Sequence, residues 1–447
     1  MTTRILCAST LYGAVTLAAA LDSGCFPPAG RRLLLVCNNA AVPETAVPLD
    51  RMPGFERLRG RFDSVRSWND AVAPFHPSTW SPRPDDVPLW ERYLRLLWGL
   101  GEDEPVELVV ESLQVAPALT VARLFPEAPI DVYADGLMSY GPTRVRLDPL
   151  VGERVRRVLH LDLVPGLRPL LLAEFGAVAE VVPTEAFTKV VDELAADEPA
   201  VDEPGVCEPE PRGGGPALVL GQYLAALGIL SPAEEEALHV RMVRGAVARG
   251  HRRLVFKPHP LAPASWSRAL ERAAEELGAD LTVVDRPVLA EVLFRRLRPA
   301  LVVACFSTGL FTAARFHGLP VARLGTGMLL DRLSPYQNSN RVPVTLADAL
   351  LPGLETGGTH AVDDLTGLVH AVGFAMQPQI RPDLRPAAER YLSAHLDART
   401  LRYFKRRRLT VLGLPGGLPV PRNAPARRLA RRALRALRAL RARRASA

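Results

Sequence analysis

Several positions in this 447-residue chain put a reactive side chain directly after a short apolar run. At Ile130-Asp131-Val132-Tyr133-Ala134-Asp135-Gly136 such a run ends in a carboxylate followed by glycine. A carboxylate there can take a proton from a hydroxyl within hydrogen-bond reach. Gly136 lets the backbone turn and leaves room beside the acid, although Asp-Gly is also an ordinary strand-to-turn signal. At Leu254-Val255-Phe256-Lys257-Pro258-His259-Pro260 two prolines fix the backbone around a histidine. An imidazole held there, with Lys257 beside it, could neutralise a departing phosphate as a cation or proton donor. A capping histidine in an X-Pro turn is the plainer alternative.

The run ending Ala304-Cys305-Phe306 is followed by Ser307, Thr308 and Gly309 and then by helical periodicity. Free N–H groups at a helix start, with two hydroxyls, make a phosphate site. The same hydroxyls serve equally as a helix cap. Glu291, in Val288-Leu289-Ala290-Glu291-Val292, falls near the start of another helical pattern, where the helix dipole favours a carboxylate in any case. Its functional alternative is to accept hydrogen bonds from a ribose or a base.

These positions need strands to end where they stand. Apolar runs at 4–8, 33–37, 106–111, 130–134, 158–162 and 178–182 read as buried strands, with helical patterns at 87–99 and 113–124. Acidic, Pro- and Gly-rich sequence at 196–216 breaks the pattern and predicts a linker. Alternation restarts with strands at 217–220, 253–256, 281–284, 300–304 and 320–324. Helices are expected between them at 232–249, 265–277, 288–297 and 308–317, the first capped by Ser231 with Pro232 at its first position. This is an α/β class pattern of parallel βαβ units. The expected division is 1–195, the linker 196–216, 217–397 and a basic tail 398–447. Ligands of open parallel sheets sit at the carboxyl ends of the strands. That places Ser9, Thr10, Glu111 and Ser112 on the rim of the first unit.

Composition fits two globular cores, with 48% hydrophobic and 23% charged residues. The net charge of +7 is uneven: after Asp397 the chain has sixteen Lys/Arg and no acid, leaving 39 basic against 48 acidic residues before it. The tail is therefore expected to have its own partner. Its last part places Leu429, Ala433, Leu437 and Leu440 at helical spacing among arginines, which suits an anionic membrane surface. No nucleic-acid partner is expected, because interleaved aromatics and known motifs are missing. The five scattered cysteines follow no metal-ligand spacing and predict reduced thiols in a cytoplasmic protein, peripheral to the membrane through its tail.

The order Asp135-Gly136, His259-Pro260, Ser307-Thr308, with Glu291 between the last two, resembles the motif set of bacterial sialyltransferases, and most closely the α-2,8-polysialyltransferase family. The first acid of the family's acidic-acidic-Gly motif is Ala134 here. The resemblance implies a GT-B fold, two Rossmann-like domains facing a cleft, and inverting transfer from CMP-sialic acid to a glycan acceptor without a metal or other cofactor. Carried over, Asp135 is the base, His259 attends the phosphate with Lys257, Pro260, Ser307, Thr308 and Gly309, and Glu291 grips the cytidine. A lipid-linked acceptor would suit the basic tail. Two alternatives stay open at this level: a GT-B transferase using another activated sugar, and a catalytically idle nucleotide- or glycan-binding relative.

Overall fold

The computed structural model describes residues 2–134, 136–197, 214–259, 264–360 and 362–419. Asp135, Pro260, most of the predicted linker and the tail from residue 420 onward, including the leucine stripe, lie outside the described residues.

Two parallel sheets organise the chain. The first contains β1 (Thr3–Ala8), β2 (Arg31–Val36), β3 (Ser64–Ser67), β4 (Val106–Val110), β5 (Ile130–Ala134), β6 (Val155–Leu161) and β7 (Val178–Val182). Their order is β3-β2-β1-β4-β5-β6-β7. The second contains β8 (Ala217–Leu220), β9 (Arg253–Lys257), β10 (Asp280–Val283), β11 (Leu301–Ala304) and β12 (Val321–Arg323), in the order β10-β9-β8-β11-β12. The strand order reverses between β1 and β4 in the first sheet and between β8 and β11 in the second, and such switch points open a crevice at the carboxyl ends. This is the α/β, GT-B-type arrangement expected from the sequence.

Local chemistry sets the elements. The central strands β1, β8 and β11 are buried at every residue, which accounts for their unbroken apolar runs. Helix Pro232–Ala248 begins in a complete capping box: Ser231 accepts from the Glu234 N–H while Glu234 reaches back to the Ser231 N–H. Removing such a cap costs about 1 kcal/mol. Helix Leu11–Asp22 is apolar on all sides because it is covered on all sides, with Ala14, Val15 and Leu17 through Ala20 fully buried.

The sheets are joined through helices. Tyr12 packs on Phe187 at 5.4 Å between ring centroids, and Phe187 on Phe316 at 5.7 Å. This aromatic chain runs from helix Leu11–Asp22 through Thr184–Asp197 to Thr308–Phe316. An Arg295–Asp192 hydrogen bond of 2.9 Å flanks it. After the second sheet the chain returns to the first: a Cβ on Gly373 would touch Leu170 at 2.8 Å, and Arg381 donates to the Leu170 carbonyl at 3.3 Å.

Residues 398–419, grouped by sequence with the basic tail, are folded against the second unit. Tyr403, Phe404, Leu409 and Leu414 are buried, and Arg402 pairs with the buried Asp348 at 3.0 Å. Their positive charge misled because the apolar residues between the arginines face inward. Among the described residues, no helix is long and apolar enough to cross a membrane, and Cys7, Cys25, Cys37 and Cys305 are free thiols.

Candidate active site

The strand ends predicted to carry chemistry meet between the two sheets. Thr308 opens helix Thr308–Phe316 after β11, and its Oγ1 lies 3.5 Å from the Leu137 N–H, just beyond β5. A Cβ added to Gly136 would fall 2.8 Å from that oxygen. Gly136 has φ −163°, an extended conformation open to any residue. Glycine is favoured there by the approach of Thr308, whose side chain would have to shift for a Cβ, and not by a sharp turn as the sequence suggested. The position following Asp135 is thus seated against a helix N-terminus from the other sheet.

At that N-terminus Ser307 is the cap, accepting from the Gly309 N–H at 3.1 Å. Gly309 is itself confined, since a Cβ there would lie 2.9 Å from Leu220 Cδ1. The cap and anion-site readings of Ser307 coexist, as both use the same end of the helix.

Lys257 ends β9 and His259 follows it. Gly221 donates to the Lys257 carbonyl at 2.8 Å, and a Cβ on Gly221 would meet the His259 backbone nitrogen at 2.9 Å. Burial pulls the Lys257 ammonium down to about 8, against the opposing charges of Glu291 and Asp285. Burial, helped by the Lys257 charge, pulls His259 down to about 4. The imidazole is therefore neutral near pH 7 in the unliganded protein. Of the two roles read from the sequence, cation or proton donor, burial disfavours the standing cation: the imidazole has a neutral N–H to offer, and an anion beside it would favour its protonation.

One feature of this corner escaped sequence reasoning. The Tyr223 ring stacks on His259 at 4.4 Å with an interplanar angle of 12°. The loop after β8 that carries Tyr223 is fixed by two residues of helix Pro232–Ala248. Buried Glu235 accepts from the Leu224 and Ala225 N–H groups at 2.8 and 2.7 Å, and His239 Nε2 accepts from the Gln222 N–H at 3.0 Å. The signal available in sequence was positional: Gly221-Gln222-Tyr223 follows a strand at the switch point, as Ser307 does.

Glu291 is only 3% exposed and accepts from Thr312 Oγ1 at 2.7 Å. Burial raises its carboxyl while Thr312 opposes the rise. Here it ties the helix Ala290–Leu297 to the helix bearing Ser307 and Thr308, and it supplies negative charge near Lys257.

On the first sheet the predicted rim residues gather at its switch point. The Glu111 carboxylate lies 3.4 Å from the Ser9 N–H and 3.4 Å from the Tyr133 hydroxyl, which also donates to the Cys7 carbonyl at 3.0 Å. Thr10 caps helix Leu11–Asp22 by accepting from the Gly13 N–H at 2.9 Å. Ser112, half-buried, follows Glu111. Asp135 and Pro260 lie outside the described residues; their neighbours Gly136 and His259 locate the two strand ends.

Two parallel sheets meeting at a helix N-terminus, with a lysine and a histidine at the end of one strand of the second sheet, form a GT-B glycosyltransferase architecture. The chain belongs to the alpha-2,8-polysialyltransferase family, whose model matches residues 4–326. It is a glycosyltransferase of that family. No curated protein matches the sequence. Similar solved structures include the GT-B domain of a sialyltransferase from Photobacterium damselae, at 12% identity and TM-score 0.40, over 77% of this chain and 95% of that one. A UDP co-structure of S. aureus MnaA matches at 14% identity and TM-score 0.41, over 89% and 98%. A mutant of the Thermobaculum terrenum O-GlcNAc transferase matches at 14% identity and TM-score 0.35, over 92% and 69%.

Proposed function

We propose that the protein transfers sialic acid from CMP-sialic acid to a glycan hydroxyl, with inversion and without a metal. The observation that carries the proposal is the seating of Gly136, next to Asp135, against Thr308 at the start of helix Thr308–Phe316. It brings a strand end bearing an acid up to a helix start suited to phosphate, and family membership supports sialic acid as the sugar transferred.

In this reading the Asp135 carboxylate accepts the proton of the acceptor hydroxyl. The oxygen bonds to the anomeric carbon from one face while the bond to the CMP phosphate breaks on the other, and the electron pair leaves on a phosphate oxygen. The N–H groups at the start of helix Thr308–Phe316, the Ser307 and Thr308 hydroxyls, the Lys257 ammonium and the His259 N–H receive that charge. Protein groups supply the charge stabilisation that a metal supplies in other phosphate sites. Glu291 acts by holding this helix and the Lys257 charge in place, in preference to gripping the cytidine as the family resemblance implied. Docking of residues 420–447 on an anionic membrane surface, and a lipid-linked acceptor, belong to the same proposal.

Thermal shifts with CMP, UDP, GDP and ADP test the donor assignment. Stabilisation selective for CMP is expected, and a preference for UDP or GDP would overturn it.

A further inference from the structure

The stacked rings of Tyr223 and His259 come from two different strand ends, and one buried side chain touches both. His239, on helix Pro232–Ala248, is fully buried. Its Nε2 accepts from the N–H of Gln222, the residue before Tyr223, at 3.0 Å. The same ring packs on Phe256 of β9 at 5.5 Å, shortly before His259, and on Trp266 of helix Ala264–Glu276 at 5.6 Å. One rigid imidazole therefore sets both the place of the loop after β8 and its distance from β9.

Glu235 stands at i−4 from His239, on the same face of the helix. It too is fully buried, and each of its oxygens accepts a loop N–H, from Leu224 at 2.8 Å and from Ala225 at 2.7 Å. The backbone is thus anchored on both sides of Tyr223. Gly221 completes the approach: its N–H donates to the Lys257 carbonyl at 2.8 Å, and a Cβ there would come within 3.1 Å of Pro258 Cα. The two strand ends meet through bare backbone, and the Tyr223 ring reaches His259 across it.

His239 is kept at a cost. Because Nε2 accepts, its proton sits on Nδ1, a buried nitrogen without a hydrogen-bond partner among the described residues. A leucine in its place would avoid that unpaired donor but could not hold the Gln222 N–H.

Resting on the sialyl-transfer reading above, we infer that His239 and Glu235 are positioning residues for that reaction: they hold Tyr223 against His259 and so aim the imidazole at the leaving phosphate. The test uses full-length His239→Leu, which keeps much of the bulk and removes the acceptor. Its kcat should fall about tenfold, below the roughly 100- to 10,000-fold of a lost proton-transfer group because His259 itself remains. KM for CMP-sialic acid should stay within about threefold, since the imidazole matters most as charge develops on the phosphate. In NMR of labelled histidine, with His259→Ala for assignment, the His259 titration should move up from about 4 as the stack loosens. Adding His239→Leu to Tyr223→Ala should cost no more than about twofold beyond Tyr223→Ala alone, because both break one contact. His239→Gln puts an amide oxygen where Nε2 stands and should recover most of the lost kcat together with the low titration. Should His239→Leu fail to fold, Glu235→Gln serves in its place, since it turns one acceptor oxygen into a donor facing a backbone N–H. An unmoved His259 titration in the folded variant, or losses that multiply when Tyr223→Ala is added, would overturn the inference. The titration is read without donor or acceptor, so a failure of CMP-selective stabilisation strikes the donor reading and leaves this test standing.

Discussion

Thr308 of the second sheet's helix stands where a side chain on Gly136 would be: the added Cβ would lie 2.8 Å from Thr308 Oγ1. This contact crosses between the two sheets next to the proposed base, so a change on either side alters the distance between base and phosphate site. Gly136→Ala should lose about 1–3 kcal/mol of stability by overpacking, together with at least tenfold in kcat. Thr308→Ala removes the obstructing oxygen. The double variant should therefore be less impaired than the two single losses combined, which a double-mutant cycle on thermal stability and kcat will measure. Additive losses would mean the two residues act apart.

Lys257 gives the donor site a pH signature. Its ammonium has a value of about 8 in the unliganded protein, held down by burial, and an arriving phosphate raises it. Binding therefore takes up a proton once the pH exceeds 8. CMP affinity should be flat from pH 7 to about 8, where CMP is already dianionic, and then fall by up to tenfold per unit. Calorimetric titration across pH 7–9.5 measures this. In Lys257→Arg the guanidinium stays charged and the fall should disappear.

Glu291 and Lys257 should prove electrically linked. The Glu291 charge raises Lys257, so Glu291→Gln lets the ammonium titrate lower and moves the fall in CMP affinity to below pH 8. Gln can still accept from Thr312, which spares the fold. Glu291→Ala leaves the buried Thr312 hydroxyl without this acceptor and should cost about 1–3 kcal/mol in chemical denaturation. If Glu291 instead grips the base, Glu291→Gln will weaken CMP equally at every pH.

Tyr223 should control the protonation of His259. Tyr223→Ala uncovers the imidazole, and its value should climb from about 4 toward the ordinary value of about 6.5, read by NMR titration of labelled histidine. A drop in kcat of about tenfold is expected, less than the roughly 100- to 10,000-fold contributed by a positioned proton-transfer group, because His259 itself remains. Tyr223→Phe keeps the stack and should keep both properties. An unchanged titration in Tyr223→Ala would remove the ring from this role.

Strand positions and the ordered motifs were readable because buried parallel strands write themselves as continuous apolar runs, and because each motif follows one. Strand β3 was not, since Ser64–Ser67 is a short edge strand of mixed polarity. The cap at Ser231 was legible down to its residues. Long-range facts were not: the reason for Gly136 lies 172 residues away at Thr308, and the depressed values of His259 and Lys257 come from burial no local pattern encodes. Tyr223 escaped for the same reason, because its partner is a histidine on the neighbouring strand end. Residues 398–419 were grouped with the basic tail because charge conceals inward-facing apolar residues such as Tyr403 and Leu409.

In the proposed reaction the chain moves sialic acid from CMP with inversion, using Asp135 as base and protein groups at the phosphate. Its most direct test is a single-turnover reaction of labelled CMP-sialic acid with a galactose-terminated acceptor in EDTA, followed by NMR of the product anomer. An α-linked product from the β-linked donor is expected, formed at the full rate in EDTA and at least a hundredfold slower in Asp135→Asn. A β-linked product, a rate abolished by EDTA, or full activity in Asp135→Asn would contradict it.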